Sequence, residues 1–416
     1  MLQNVKRFDM KKPPRRQLLR PLIWSLCFPE VKSHKCTIKK INMEGIKPPY
    51  LLLQNHNAFL DFKVLTKAVF PHRCNYVIAI DGFLKREGLL RTVGGICKRK
   101  FTKDLTLIKQ MKKVIDNKDI CVLYPEARYS LCGTTAILPE SLGKLCKFLK
   151  VPVVVLITNG HHINAPFYNT KNHKVKGLTA TMTCIANKDE VLSLSHEELN
   201  KRINEAFVYD DYKWQKDNNI ICDYPKRAEG LDKVLYQCSA CGTEYEMESF
   251  GTTLRCKHCG KTWEMTELGE LKALDNKETF THIPTWYEWE RENVRKEVDN
   301  NKYHFESKVR VDALPNAKGY INMGEGKLIH DMNGFKLTFK DEGEDVEVTL
   351  PQYETYGVHI EYEYLHKFGD CVDLNTLNDT FYVYPDGSVP FSVTKMSLAT
   401  EELYKVYWEN KKNNNK

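Results

Sequence analysis

No apolar run in this chain approaches the ~18–20 residues that a membrane-spanning helix needs. The longest, Pro21–Phe28 and Val151–Thr158, are each about the length of one buried strand. A secretory leader is not expected either, because Pro21–Phe28 follows a basic segment but ends in Pro29-Glu30, with no small-residue cleavage site. No internal repeat is visible, and low complexity is confined to Asn410–Lys416. Acidic residues are scarce at the front: residues 1–41 hold 11 Lys/Arg and 2 Asp/Glu, a net +9. Residues 42–263 hold 33 and 23, a net +10, whereas residues 264–416 hold 18 and 29, a net −11. A basic front and an acidic back imply different partners. What is present in bulk is ordinary: 416 residues, 42% hydrophobic and 28% charged, a globular composition long enough for two or three domains. Fourteen cysteines in so long a chain do not make a disulfide scaffold. Four of them form CxxC pairs that need reduced thiols, so a cytosolic compartment is expected.

The pattern divides the chain at three places. Residues 1–41 form a basic, membrane-proximal segment. Residues 42–228 alternate short apolar runs with helical patterns. Tyr50–Leu53, Tyr76–Ile80, Ile120–Tyr124, Val151–Ile157 and Leu178–Ile185 read as strands. Leu105, Ile108, Val114 and Ile115 stand at helical spacing behind Thr102 and Asp104, either of which suits an N-cap, and Ser195-His196-Glu197-Glu198 is a capping box. This alternation predicts an α/β domain with a mainly parallel sheet flanked by helices. Residues 229–272 are rich in Cys and Gly with short strands. Residues 273–416 open on a helical stretch, Trp286–Val298, and continue as short alternating segments divided by turns such as Asn333-Gly334 and Asp386-Gly387. A final helix is expected from Ser397 to Trp408. The expected β-rich C-terminal domain resembles, at fold level only, the pleckstrin-homology type.

The first chemical constellation follows the strand Tyr50–Leu53. Gln54-Asn55-His56-Asn57-Ala58-Phe59-Leu60-Asp61 puts a histidine at the carboxyl end of a parallel strand, where open α/β sheets place their sites. A helix starting near Ala58 would carry Asp61 in its first turn, within reach of the imidazole. A carboxylate on one ring nitrogen fixes the tautomer and leaves the other nitrogen as a base.

Three further blocks follow in order: Gly94-Gly95-Ile96-Cys97-Lys98-Arg99-Lys100, then Pro125-Glu126-Ala127-Arg128-Tyr129, then Val151-Pro152. Together with Asn55-His56 and Asp61, over residues 20–210, this set resembles the glycerolipid acyltransferase family, the type that acylates 1-acyl-sn-glycerol-3-phosphate. The resemblance implies that His56 is the general base and Asp61 its orienting partner. It implies that Asn55 belongs to the same block, that Gly95 and Arg99 match a phosphate-contacting block, and that Glu126 is associated with the acceptor. Pro152 matches a mainly structural block. In the third block the family has Gly, Thr and Arg where this chain has Ala127, Arg128 and Tyr129, so the guanidinium of Arg128 stands one residue early. Neighbouring side chains point in different directions, which leaves open which acceptor is used. The implied partners are an acyl thioester (acyl-CoA or acyl carrier protein), a lysophospholipid acceptor and an anionic membrane surface. Lys6, Arg7, Lys11, Lys12, Arg15, Arg16 and Arg20 ahead of Pro21-Leu22-Ile23-Trp24 suit that surface, on the cytoplasmic face. No nucleic acid partner is expected.

The second constellation is Cys238-Ser239-Ala240-Cys241-Gly242 and Cys256-Lys257-His258-Cys259-Gly260. Two CxxCG knuckles supply four thiolates for one tetrahedral Zn²⁺, and four thiolates leave no open position, so the ion would be structural. The module resembles a zinc ribbon, with His258 exposed and with Tyr245, Phe250 and Trp263 as its small core. Two paired knuckles are unlike a single redox dithiol. Two classes of function therefore compete. One is a peripheral acyltransferase of phospholipid biosynthesis with accessory modules. The other is a non-catalytic binding protein, in which the ribbon and C-terminal domain recruit partners and the α/β half is a scaffold.

Overall fold

The computed structural model describes residues 2–169 and 171–414. The first half is built on a seven-stranded sheet of β1 (Thr37–Ile41), β2 (Leu51–Gln54), β3 (Cys74–Ala79), β4 (Gly95–Lys98), β5 (Ile120–Leu123), β6 (Val153–Asn159) and β7 (Thr179–Ala186), in the order β1-β7-β6-β2-β5-β3-β4. All neighbours are parallel except β6 and β7. The central strands are buried on both faces, hence their unbroken runs of Leu, Val and Ile. Leu51, Leu53, Cys121, Leu123, Val153 and Val155 pack with apolar residues of the helices Leu105–Asp116, Leu142–Leu149 and His196–Ala206. Leu52, Val122, Val154 and Leu156 face the opposite way, into the core that includes the helix Leu60–Ala68. Asp104 caps Leu105–Asp116, accepting from the N–H groups of Thr106 (2.7 Å) and Leu107 (3.2 Å), and Ser195 caps His196–Ala206 by accepting from Glu198 N–H at 3.1 Å.

Four antiparallel strands follow, β8 (Met247–Phe250), β9 (Thr253–Cys256), β10 (Thr262–Met265) and β11 (Leu271–Ala273). The helix Ile283–Asp299 then leads to a seven-stranded antiparallel sheet in the order β15-β14-β13-β12-β18-β17-β16. Its strands are β12 (His304–Leu314), β13 (Ile321–Asp331), β14 (Gly334–Asp341), β15 (Glu344–Pro351), β16 (His359–Glu361), β17 (Cys371–Asn375) and β18 (Thr380–Pro385). It is thus a four-stranded meander joined through β12 and β18 to a three-stranded one, and the helix Val393–Asn414 closes the chain.

The three parts share one hydrophobic core that runs from Leu2 through Leu52, Val154 and Trp263 to Val383 and Leu403. The basic front segment is a strap laid across both halves. Leu2 N–H donates to Asp341 (2.9 Å), Phe8 N–H donates to Pro315 O (3.0 Å), Arg7 pairs with Asp379 (2.8 Å), and Arg16 pairs with Asp119 (2.9 Å). Pro21–Phe28, strand-like in length, lies instead in a helix, Arg20–Ser33, opened by Pro21 in its first turn. Leu22 and Leu26 on this helix stand 52% and 66% exposed, and its Trp24 and Phe28 rings pack against Phe70 at 4.8 and 5.6 Å. No helix among the described residues is long and apolar enough to cross a membrane.

Candidate active site

Three adjacent strands, β6, β2 and β5, end side by side and deliver the polar residues of one site. His56 leaves β2, Glu126 follows β5, and His161 follows β6. Asp61 lies in the first turn of the helix Leu60–Ala68, and its Oδ2 accepts the N–H groups of Asn57 (2.6 Å) and Ala58 (3.0 Å), closing the loop like a cap. The same Oδ2 lies 3.1 Å from His56 Nδ1. Oδ1 meets His161 Nδ1 at 2.6 Å and Thr158 Oγ1 at 3.2 Å. One fully buried carboxylate therefore orients two imidazoles.

Their surroundings divide the two rings. Burial alone would push the Asp61 carboxyl up, but the hydrogen bonds from His161 and His56 overturn that and hold it well below the usual carboxylate range. Burial likewise works against charge on His161, yet its bond to Asp61 outweighs it and pushes the imidazole up to about 9. The bond to Asp61 thus favours the charged form of His161, which balances the carboxylate. His56 is different: its side chain is 23% exposed, and its ring lies between Tyr124 (4.1 Å) and Tyr129 (4.3 Å). With Nδ1–H held by Asp61, Nε2 is the basic atom offered to a reactant.

Glu126 braces the loop from the other side. It accepts His56 N–H (2.7 Å), Ala136 N–H (2.9 Å) and the Tyr209 hydroxyl (3.1 Å). Burial pushes it up to about 7 against those bonds. Asn55 is fully buried and exchanges two hydrogen bonds with the backbone of Thr158, locking β2 to β6. Gly95 lies in β4, where a Cβ would come within 2.8 Å of Leu90 O. In this structure Asn55 and Glu126 hold the frame around His56, whereas Gly95 stands in the edge strand β4, three strands away from β2.

The two arginines of the resemblance go elsewhere. Arg99 is buried, and its guanidinium donates to Leu314 O (3.0 Å), Pro315 O (3.0 Å) and Thr380 Oγ1 (2.7 Å) of the C-terminal sheet. Ala127 takes a left-handed φ of +57° in the turn after β5, which sends Glu126 toward His56 and Arg128 away. Arg128 donates to Val358 O (3.2 Å) and pairs with Ser397 and Glu401 of the last helix. Sequence reasoning missed His161, Thr158 and Tyr209. His161 carried a usable signal, because Asn159-Gly160-His161 follows a strand just as Asn55-His56 does.

The four cysteines come together apart from this site. Cys238 and Cys259 sulfurs lie 3.8 Å apart, Cys241 and Cys256 sulfurs 3.9 Å, and all four within 4.8 Å of one another. Both knuckles make the same turn: Gly242 N–H donates to Cys238 O (2.8 Å), Gly260 N–H donates to Cys256 O (2.9 Å), and both glycines have left-handed φ near +76° (+77° and +75°). This donor set suits a metal ion with no position left open. Trp263 is buried against Trp286 of the following helix (4.8 Å), and Tyr245 is partly buried, but Phe250, expected in the ribbon core, is 65% exposed.

The chain is similar to the crystal structure of the 1-acyl-sn-glycerophosphate (LPA) acyltransferase PlsC from Thermotoga maritima, with a TM-score of 0.36 and 13% identity over 45% of this chain and 76% of that one. No protein-family model matches the chain, and no curated protein does. A likeness so distant leaves the activity to be argued from the site's own chemistry.

Proposed function

We propose that this protein transfers a fatty acyl group from an acyl thioester to a hydroxyl of a lysophospholipid, with 1-acyl-sn-glycerol-3-phosphate as the first acceptor to try. The observation that carries this reading is the bond from His56 Nδ1 to buried Asp61, which leaves Nε2 free at the carboxyl ends of three parallel strands. The acceptor hydroxyl gives its proton to Nε2 as its oxygen forms a bond to the thioester carbonyl carbon. The carbon–sulfur bond then breaks and a thiolate leaves, which needs little acid assistance because its pKa is ~8.5. His161, already paired with Asp61, keeps that carboxylate ionised and in place.

The membrane assignment rests on Lys6, Lys11, Lys12 and Arg15, which are exposed, and on Leu22 and Leu26, which extend apolar surface beside the helix that carries Asp61. The ribbon would hold one Zn²⁺ through Cys238, Cys241, Cys256 and Cys259, as a folding element remote from the chemistry. All 14 cysteines are free, which suits a reducing, cytoplasmic setting.

One observation favours the second reading, a non-catalytic scaffold: Arg99 and Arg128 are occupied by the C-terminal half and so are not free for a phosphate. The two readings separate in one assay. Thiol release from palmitoyl-CoA with lysophosphatidic acid should depend on His56, and His56→Ala should lose about 10²–10⁴-fold of the turnover while remaining folded. Equal turnover in His56→Ala would overturn the catalytic assignment, and no turnover by wild type across a panel of lysophospholipids would favour the scaffold.

A further inference from the structure

A second cluster of ionisable groups lies where the C-terminal sheet meets the first half. His359 and Glu361 stand two apart on β16, so they share a face, and Asp373 on β17 is the cross-strand partner of His359. One ligating atom of each lies within 4.8 Å of the others. From the opposite side come Asp81 and Lys100, whose Oδ2 and Nζ are 3.0 Å apart.

The hydrogen bonding here is incomplete. His359 Nε2 meets Glu361 Oε1 at 2.9 Å and lies 3.9 Å from Asp373 Oδ2. Asp81 also accepts Gly82 N–H at 2.8 Å. Asp373 is 2% exposed, yet neither of its carboxylate oxygens has a hydrogen-bond partner. Its nearest cation, Lys100 Nζ, is 3.8 Å away and is committed to Asp81. Burial works against charge on both Glu361 and Asp373 and pushes both carboxyls up, and the one ammonium beside them, Lys100, is shared with Asp81. Buried charge without compensation is costly, and unpaired buried carboxylate oxygens are rare.

We propose that His359, Glu361 and Asp373 bind one divalent first-row transition-metal ion. A +2 ion would give the Asp373 carboxylate the partner it lacks while touching Glu361 and His359 on the same face of the sheet. One imidazole and two carboxylates make a borderline-hard donor set, suited to Mn²⁺, Fe²⁺ or Zn²⁺ more than to Mg²⁺ or Ca²⁺. At metal–ligand distances of about 2.0–2.2 Å, one ion can touch all three after small side-chain shifts. Three protein ligands leave further positions for water or an anionic oxygen. Two of the ligands are on one short strand and the third on its neighbour, so the sheet itself holds the geometry. The site is independent of the cysteine cluster and of the acyltransferase reading.

The test uses the full chain carrying its ribbon zinc, with Mn²⁺ as the probe because it is a poor match for four thiolates. Titration followed by the electron paramagnetic resonance signal of free Mn²⁺ should show one ion withdrawn per chain. Asp373→Asn should weaken that binding by about 100-fold or more, since even residues behind a metal's own ligands cost 10–100-fold. Lys100→Met removes a competing cation and should tighten binding. After a weak chelator has stripped every ion but the one on the four cysteines, that one zinc per chain should stay in all variants. Should Asp373→Asn fail to fold, Glu361→Gln replaces it with the same expected loss. Wild type that withdraws no Mn²⁺ overturns the proposal, as does a folded Asp373→Asn or Glu361→Gln that binds like wild type.

Discussion

At the scale of single residues, Asp61 does the most. Its two oxygens serve two histidines, and the pair with His161 sets a pH dependence. The folded-state pKa of His161 is raised from 6.5 to about 9. Its contribution to stability is therefore complete below pH ~6.5 and is lost as pH rises through about 9. Denaturant unfolding of wild type should show that decline, and His161→Ala should remove the slope while costing about 3–5 kcal/mol, the usual penalty for stranding one partner of a buried pair. Arg99 gives a second residue-scale expectation. With three hydrogen bonds into the C-terminal sheet, Arg99→Ala should cost about 3 kcal/mol or more in stability and lower the melting temperature. A variant that raised only the acceptor KM, with an unchanged melt, would place the guanidinium on the substrate instead.

At the scale of elements, the sequence was most legible where local rules and tertiary packing agree. Four of the five expected strands are present because central parallel strands must be apolar on both faces, and the fifth, β7, was readable from its alternation of buried and half-buried residues. Asp104 and Ser195 cap their helices because their side chains satisfy N–H groups that have no partner within the helix. The helix Arg20–Ser33 was illegible for a physical reason: it holds Pro21 and Pro29, and Leu22 and Leu26 lie on its exposed side, so no helical period of burial was visible. β1 and β4 were missed because Thr37–Ile41 is lysine-rich at a sheet edge, and Gly95–Lys98 reads as a glycine turn. At the candidate site, His56 with Asp61 could be read from five residues of spacing. The true surroundings of Arg99 and Arg128 could not, since their partners lie 215 to 281 residues further along. The ribbon carries its own expectation. With the proposed zinc on its four thiolates, chelation should unfold it locally, because a structural ion supplies such a module's folding energy. The buried contact between Trp263 and Trp286 should report this as a change in tryptophan fluorescence, and unchanged emission after full metal removal would count against a structural ion.

At the scale of the whole molecule, the strap, the shared core and the two arginines tie first half to second. The exposed apolar residues of Arg20–Ser33 offer a membrane test that leaves these ties alone. Leu22→Glu with Leu26→Glu should weaken binding to anionic vesicles without lowering the melting temperature, because both side chains are solvent-exposed. Added salt should weaken wild-type binding as well, since the Debye length falls from about 10 Å at 0.1 M to about 3 Å at 1 M. Vesicle binding equal in both proteins would move the contact elsewhere. The captured arginines also bear on how such a molecule can be recombined. A chimera that joins this first half to another second half inherits two guanidinium groups cut to fit the Thr380, Ser397 and Glu401 side chains and the backbone carbonyls of Leu314, Pro315 and Val358. Positions 99, 128, 380, 397 and 401 must therefore change in concert, and the useful crossover points are the ones that keep all five on the same parent.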